Sequence, residues 1–283
     1  MFEIVRKQVL NEQVKLFEVY APRVAKKARP GQFVIIRISG AGERIPFTIS
    51  DYDAERGTVT FIAQEVGKTT TELGAFKEGD RMLSFVGPLG KPTHFESEVK
   101  RAVVIGGGLG SAIAYPQAKN LFALGAEVDT IVGFRNESLV ILEDEMKSVS
   151  TRLIVTTDDG SYGMKGFVTE ALKQLLEANP NYDAVVAIGP PVMMKAVCNL
   201  TKPHGINTIV SLNPIMVDGT GMCGCCRVTV GEKTRFACVD GPDFDGFDVD
   251  FDELIKRNAM YREQEKLSLE RHICKLEEAI NNA

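Results

Sequence analysis

The feature that most narrows the fold is a glycine-rich run set between a strand pattern and a helix pattern. Arg101–Ile105 (RAVVI) is a short buried-type strand, Gly106–Ser111 (GGGLGS) follows at once, and a helix-like run continues to Leu124. Glycines at a strand-to-helix turn let the backbone approach a pyrophosphate, and the helix end favours its charge. Downstream, the strand-like runs Glu127–Gly133, Thr151–Thr156, Ala184–Ile188 and Asn207–Leu212 alternate with helix-like runs near Leu142–Ser148, Gly166–Ala178 and Val192–Leu200. This alternation predicts a parallel, doubly wound α/β domain over residues 98–212.

Residues 1–97 follow a different pattern. Gln13–Tyr20, Phe33–Ile38 and Thr58–Ala63 are rich in β-branched and aromatic residues, with turn signals at Pro30-Gly31, Gly40 to Gly42, Glu55 to Gly57 and Glu78 to Asp80. Short strands at this spacing predict a small antiparallel β-barrel. From 213 to 250 glycine, cysteine and aspartate dominate, and the tail 251–283 reads as a charged helix lying on a surface or on a partner.

Four of the six cysteines, Cys223, Cys225, Cys226 and Cys238, fall within 16 residues. With no signal-peptide pattern in Met1–Leu10, such clustering favours metal over disulfides. Cys198 and Cys274 stand apart and read as small buried hydrophobes. A net charge of −5 argues against nucleic acid or an anionic membrane as the main partner, and no run reaches the roughly 18 apolar residues of a membrane span. The expectation is a cytoplasmic protein.

Several pieces together resemble the ferredoxin:NADP reductase superfamily: Pro30-Gly31-Gln32-Phe33, Arg44-x-Pro46-Phe47-Thr48-x-Ser50, Gly67-x-x-Thr70, Gly87-Pro88-Leu89-Gly90, Gly133-Phe134-Arg135, Asp158-Asp159-Gly160 and Gly189-Pro190-Pro191. The resemblance implies an FAD-binding barrel in which Arg44 pairs with the pyrophosphate. Phe47 would pack on the isoalloxazine, with Pro46 beside it among the cofactor-binding residues, Thr48 would offer a catalytic hydroxyl near N5, and Gly67 with Thr70 would line the diphosphate. It implies NAD(H) on Gly107, Gly108 and Gly110, with Gly189 and Pro190 beside the nicotinamide. Asp158 suits a free ribose diol and so NAD, while Arg135 is the nearby cation that a 2′-phosphate would use.

The cysteine segment resembles the cluster loop of dihydroorotate dehydrogenase electron-transfer subunits, which hold a 2Fe–2S cluster on four cysteines. Cys223, Cys226 and Cys238 match three positions, and Asp218 stands at the fourth. Either Asp218 or the extra thiol Cys225 completes the ligand set; zinc, an outside ligand or no metal are the other readings. Asp218 and the charged tail most resemble the small subunits of electron-bifurcating, NADH-dependent ferredoxin:NADP+ oxidoreductases. The implied function is an electron-transfer flavoprotein subunit moving electrons between NAD(H), FAD and a 2Fe–2S cluster, bound to a larger flavin and iron–sulfur subunit. The alternatives are the electron-transfer subunit of an NAD-dependent dihydroorotate dehydrogenase and a zinc-stabilised, non-enzymatic regulatory module.

Overall fold

A computed structural model describes residues 2–40, 42–95 and 97–281. The N-terminal strands are β1 (Phe2–Val9), β2 (Val14–Tyr20), β3 (Phe33–Arg37), β4 (Ile45–Thr48), β5 (Asp51–Asp53), β6 (Thr58–Gln64), β7 (Arg81–Met82) and β8 (Ser84–Leu89), with short helices α1 (Pro22–Ala25) and α2 (Lys68–Gly74). They form antiparallel sheets in the orders β5-β6-β2-β1-β7 and β4-β3-β8. The two sheets close on one core, where Ile4, Phe17, Val34, Ile36, Phe61 and Met82 are buried. Successive residues of a strand face opposite sides. In β3, Val34 and Ile36 therefore enter the barrel while Phe33 and Ile35 are buried on its outer face.

The second half begins with β9 (Arg101–Gly107), α3 (Gly110–Ala123), β10 (Glu127–Phe134), α4 (Glu143–Ser148) and β11 (Arg152–Thr157). Next come β12 (Met164–Lys165), α5 (Val168–Ala178), β13 (Ala184–Ile188), α6 (Pro191–Thr201) and β14 (Asn207–Ser211). The hairpin β15 (Arg227–Val230) and β16 (Lys233–Phe236), the turn of helix α7 (Ala237–Asp240) and β17 (Asp243–Asp245) precede α8 (Phe251–Asn258) and α9 (Arg262–Asn281). Seven strands join in the order β12-β11-β10-β9-β13-β14-β17, all parallel except the β14–β17 pair. Helices cover both faces: Ala102 and Val104 of β9 pack with α3, Val103 and Ile105 with α5 and α6. That arrangement buries the strands twice over and explains their unbroken apolar runs.

The segment 213–250 is more ordered than its composition implies. Its end, β17, becomes the antiparallel edge of the large sheet, with Val210 paired to Phe244. Cys198 is buried in the core as expected, whereas Cys274 lies exposed on α9. The tail is helical, and α9 reaches the barrel, where His272 Nδ1 lies 3.6 Å from Glu72 on α2. Among the described residues no helix is long and apolar enough to cross a membrane.

Candidate functional site

The sheet order reverses between β9 and β13, and in open α/β sheets ligands bind at the carboxyl ends of the strands flanking such a point. Here those ends are the loops Gly106–Gly110 and Gly189–Pro190, and they touch. A Cβ on Gly110 would stand 2.3 Å from the Ile188 carbonyl oxygen, and one on Gly107 would stand 2.4 Å from Met193 Sδ. A Cβ on Gly189 would come 3.2 Å from Gly107 Cα. Gly108, at φ +57°, donates its N–H to the Gly133 carbonyl at 2.8 Å, which ties the loop to β10. The structure thus brings Gly107, Gly108, Gly110, Gly189 and Pro190 together in a cradle that side chains would fill. Asp158 is exposed beyond β11 on the same edge, its N–H bonded to Phe134 O at 3.0 Å. Its neighbour Asp159 is committed to Ser161, whose hydroxyl and N–H hold that carboxyl below its ordinary range.

On the barrel, Thr48 pairs with Phe33, Phe47 with Val34 and Pro46 with Ile35. The Phe47 ring stacks on Phe61 at 4.8 Å, towards the barrel core. By alternation Pro46 and Thr48 face the other way. Thr70 anchors the entry to α2: its hydroxyl accepts the N–H groups of Val66 at 3.1 Å and Gly67 at 3.0 Å. Arg44 turns to the cysteine segment. Its guanidinium donates to the main-chain carbonyls of Val217, at 3.3 Å, and Asp218, at 3.0 Å.

Within the cysteine segment, Cys226 and Cys238 are both buried, and the Cys238 N–H points at Cys226 Sγ at 3.4 Å. Burial, then the adjacent Cys226 thiol, pushes the Cys238 thiol up to about 12. Cys223 is exposed and half-buried Cys225 lies beside it; the N–H groups of Cys225 and Asp218 lower the Cys223 thiol. The Asp218 carboxylate accepts the N–H of Thr220 at 2.9 Å and its hydroxyl, which hold it below its usual range. Among the described residues these side chains do not converge into a group of three that could hold a metal ion. The donor chemistry nevertheless fits a thiolate-bound cluster: two buried thiols are already adjacent, and Gly219, Gly221 and Gly224 turn the loop through left-handed φ.

Phe33 and Ile35 of β3 pack in one buried cluster with Cys226, Ala237 and Cys238. The outer wall of the strand beside β4 is therefore the floor of the cysteine segment. Sequence reading named neither Phe33 nor Ile35 for this role. The only signal was a strand whose two faces are both apolar, which marks burial on both sides.

Residues 213–250 match the model of the iron–sulfur cluster binding domain of dihydroorotate dehydrogenase B. A Thermotoga maritima protein described as a dihydroorotate dehydrogenase B (NAD(+)) electron transfer subunit homolog is 50% identical over 271 residues, covering 96% of this chain and 95% of that one. The chain belongs to the dihydroorotate dehydrogenase B electron-transfer subunit family. A family member from Fusobacterium nucleatum is 35% identical, covering 79% of this chain and 87% of its own. Among solved structures, a chain of an NADH-dependent reduced ferredoxin-NADP oxidoreductase, studied for flavin-based electron bifurcation, superposes with a TM-score of 0.90 at 50% identity, covering 96% of this chain and 98% of that one. The cytochrome b5 reductase domain of Ulva prolifera nitrate reductase superposes at 0.59 with 21% identity, covering 72% and 92%, and shares the reductase fold alone with this family member.

Proposed function

We propose that this family member is an electron-transfer flavoprotein subunit that moves electrons between NAD(H), FAD and a 2Fe–2S cluster, as the small subunit of an electron-bifurcating, NADH-dependent ferredoxin:NADP+ oxidoreductase. The observation that carries the reading is the shared wall of β3. Phe33 pairs with Thr48 on the flavin-signature strand and packs with Cys226 and Cys238 on its outer face. One strand thus separates the flavin-signature strand from the cysteine pair, a layout suited to single-electron passage.

The chain's own groups take defined parts. Gly107, Gly108 and Gly110 admit a dinucleotide pyrophosphate against the N-terminus of α3, while Asp158 takes the ribose and Gly189 with Pro190 borders the nicotinamide. Pro46 and Thr48 present the flavin ring edge, Phe47 backs them from the barrel core, and Gly67 with Thr70 and, in the superfamily pattern, Arg44 flank its diphosphate. Cys223, Cys226, Cys238 and Asp218 hold the cluster. When bound, FAD turns a two-electron hydride exchange into single-electron steps and the cluster carries them. The protein fixes distance, orientation and the exclusion of water, and no side chain has to act as acid or base.

The high identity to a chain of the bifurcating oxidoreductase, together with Asp218 in place of a cysteine, favours that assembly over a dihydroorotate dehydrogenase. The names of the relatives support the second reading. Isolation of the complex from its native source, with mass analysis of the second subunit and assays of flavin, iron, acid-labile sulfide and zinc, tests both. A larger flavin and iron–sulfur subunit, with FAD and two irons per chain, is the expected result. A dihydroorotate dehydrogenase as partner selects the second reading, and zinc without flavin overturns both.

A further inference from the structure

We infer that Lys119 and Asp51 are positioning residues for hydride exchange, fixing the angle between nucleotide domain and barrel so that the dinucleotide loop keeps its distance from Thr48. The inference rests on the reading of Thr48 as a flavin-edge residue and of Gly107, Gly108 and Gly110 as the dinucleotide loop. Lys119 of α3 donates to both carboxylate oxygens of Asp51 on β5, at 2.8 Å each, from 68 positions away in the chain. Its ammonium also lies 5.7 Å from the centroid of the Tyr115 ring, one helical turn back. Each end of this bridge is tied to one half of the reacting site. On the barrel, Asp51 comes three residues after Thr48, and the N–H groups between them are committed: Ile49 donates to the Gln32 carbonyl at 3.0 Å and Ser50 to the Thr60 carbonyl at 2.9 Å. On the other side Gly110 opens α3, and Ala112, Ala114, Ala118 and Leu121 seat that helix in the core of the large sheet. The loop and Lys119 therefore move with the sheet.

The rest of the boundary supplies cohesion without direction. Val14 and Ile62 of the barrel belong to the same buried apolar cluster as α3. Apolar burial depends on area and is indifferent to small rotations. Contacts between fixed points set the angle instead. Gln117 donates to Thr93 Oγ1 at 2.5 Å, on the chain that leaves the barrel. Gln117 and Lys119 stand two residues apart and so leave α3 on opposite sides, which stops the helix rolling between them. The Lys119 and Asp51 side chains are 45% and 36% exposed, and an ion pair so exposed adds little to stability. Its effect falls on geometry, where a displacement of about 1 Å costs on the order of 100-fold in rate.

The test uses the full chain in its native complex. It compares wild type with Lys119→Met, with Asp51→Asn, and with the exchanged pair Lys119→Asp plus Asp51→Lys. Anaerobic single-turnover mixing with NADH gives the limiting rate of flavin bleaching and the apparent Kd for NADH. In that step NADH gives up a hydride and leaves as NAD+, while FAD takes the hydride with both electrons. Hydrogen exchange of peptides spanning 49–53 and 113–121, FAD per chain and the thermal midpoint are read alongside. In each single variant the limiting rate falls about 10- to 100-fold and exchange in both peptides quickens. Apparent Kd, FAD per chain and the thermal midpoint stay at their wild-type values, and the exchanged pair recovers most of the rate. Single variants that match wild type in rate and exchange overturn the inference. So does a loss confined to the apparent Kd, or one that the exchanged pair leaves uncorrected. If one single variant does not accumulate, the other reads the same contact. Wild-type flavin that NADH does not bleach would instead remove the functional reading itself, and the inference with it.

Discussion

Thr93 donates its hydroxyl to Asp243 across 2.5 Å, joining the segment after β8 to β17, 150 residues further on. Gln117 of α3 donates in turn to the Thr93 oxygen at 2.5 Å. Barrel, nucleotide domain and the strand beyond the cysteines therefore meet at one half-buried polar knot. It has little slack: a Cβ on Gly31 would stand 2.3 Å from Thr93 Oγ1 and 2.8 Å from Asp243 Oδ2. Asp243 Oδ1 and Gln117 Oε1 are buried there without a hydrogen-bond partner.

Burial pushes the Asp243 carboxyl up to about 6, against the pull of its bonds from Ser211 and Thr93. A carboxyl raised on folding binds more protons in the folded state. Its contribution is fully present below the unfolded value of 3.8 and is lost as pH rises through about 6. Asp243→Asn abolishes this titration, so the variant should gain about 3 kcal/mol relative to wild type between about pH 4 and about pH 7. Denaturant unfolding across that range measures it. Parallel stability profiles for the two proteins would disprove the assignment.

Asp129, on β10 inside the large sheet, presents the opposite case. It is buried and accepts Arg152 at 3.0 and 2.8 Å and the Tyr182 hydroxyl at 2.5 Å, with Arg101 at 3.7 Å. Burial raises its carboxyl, but the bonds from Arg152 and Tyr182 outweigh that and hold it below 3.8. Its contribution is present above 3.8 and is lost as pH falls through the lowered folded value. Asp129→Ala removes the bonds from Arg152 and Tyr182, but Arg152 is half exposed and Arg101 keeps Glu127 at 3.6 Å, so it should cost about 1–3 kcal/mol. Thermal melts should show the loss at neutral pH and its shrinkage in acid, while FAD and iron per folded chain stay unchanged. A cost that persists undiminished below the folded value would refute the assignment.

Gly107 and Gly110 differ in what surrounds them. A methyl on Gly110 meets the rigid Ile188 carbonyl, whereas one on Gly107 meets the flexible end of Met193. Gly110→Ala should therefore weaken folding and NADH binding together. Gly107→Ala should fold normally but bind NADH about tenfold less tightly, a loss of about 1.4 kcal/mol. Titration of NADH with flavin bleaching as the signal separates them. Equal affinity for wild type and Gly107→Ala would show that the cradle is not the dinucleotide site.

The fourth cluster ligand can be decided by two substitutions. If Asp218 is the ligand, Asp218→Ala loses iron while Cys225→Ser keeps it, and Asp218→Cys retains a cluster with altered g-values and potential. Iron loss confined to Cys225→Ser would assign the site to the extra thiol instead. Chemical iron analysis with EPR reads both outcomes.

Much of this molecule was legible in order along the chain. The strand–glycine–helix opening at Arg101–Ser111, the β-rich first third and the cysteine spacing each reflect choices made by a few neighbouring residues: periodicity, turn chemistry and backbone freedom at glycine. The order of barrel, nucleotide fold and cysteine segment follows from those local signals. Partners far apart in sequence were not legible. That Arg44 turns to the carbonyls of Val217 and Asp218, that β17 closes the edge of the large sheet, and that Phe33 and Ile35 floor the cysteine pair are facts of packing. So is the burial of Asp243 beside Thr93 and Gln117. A side chain's own type allows many partners, and only the register of β3, β4 and β8 and the return of the chain after the cysteines select one. The sequence by itself determined which chemistry the chain carries; the tertiary structure decided which strand stands between its parts, because separation in space is set by long-range packing that no local pattern encodes.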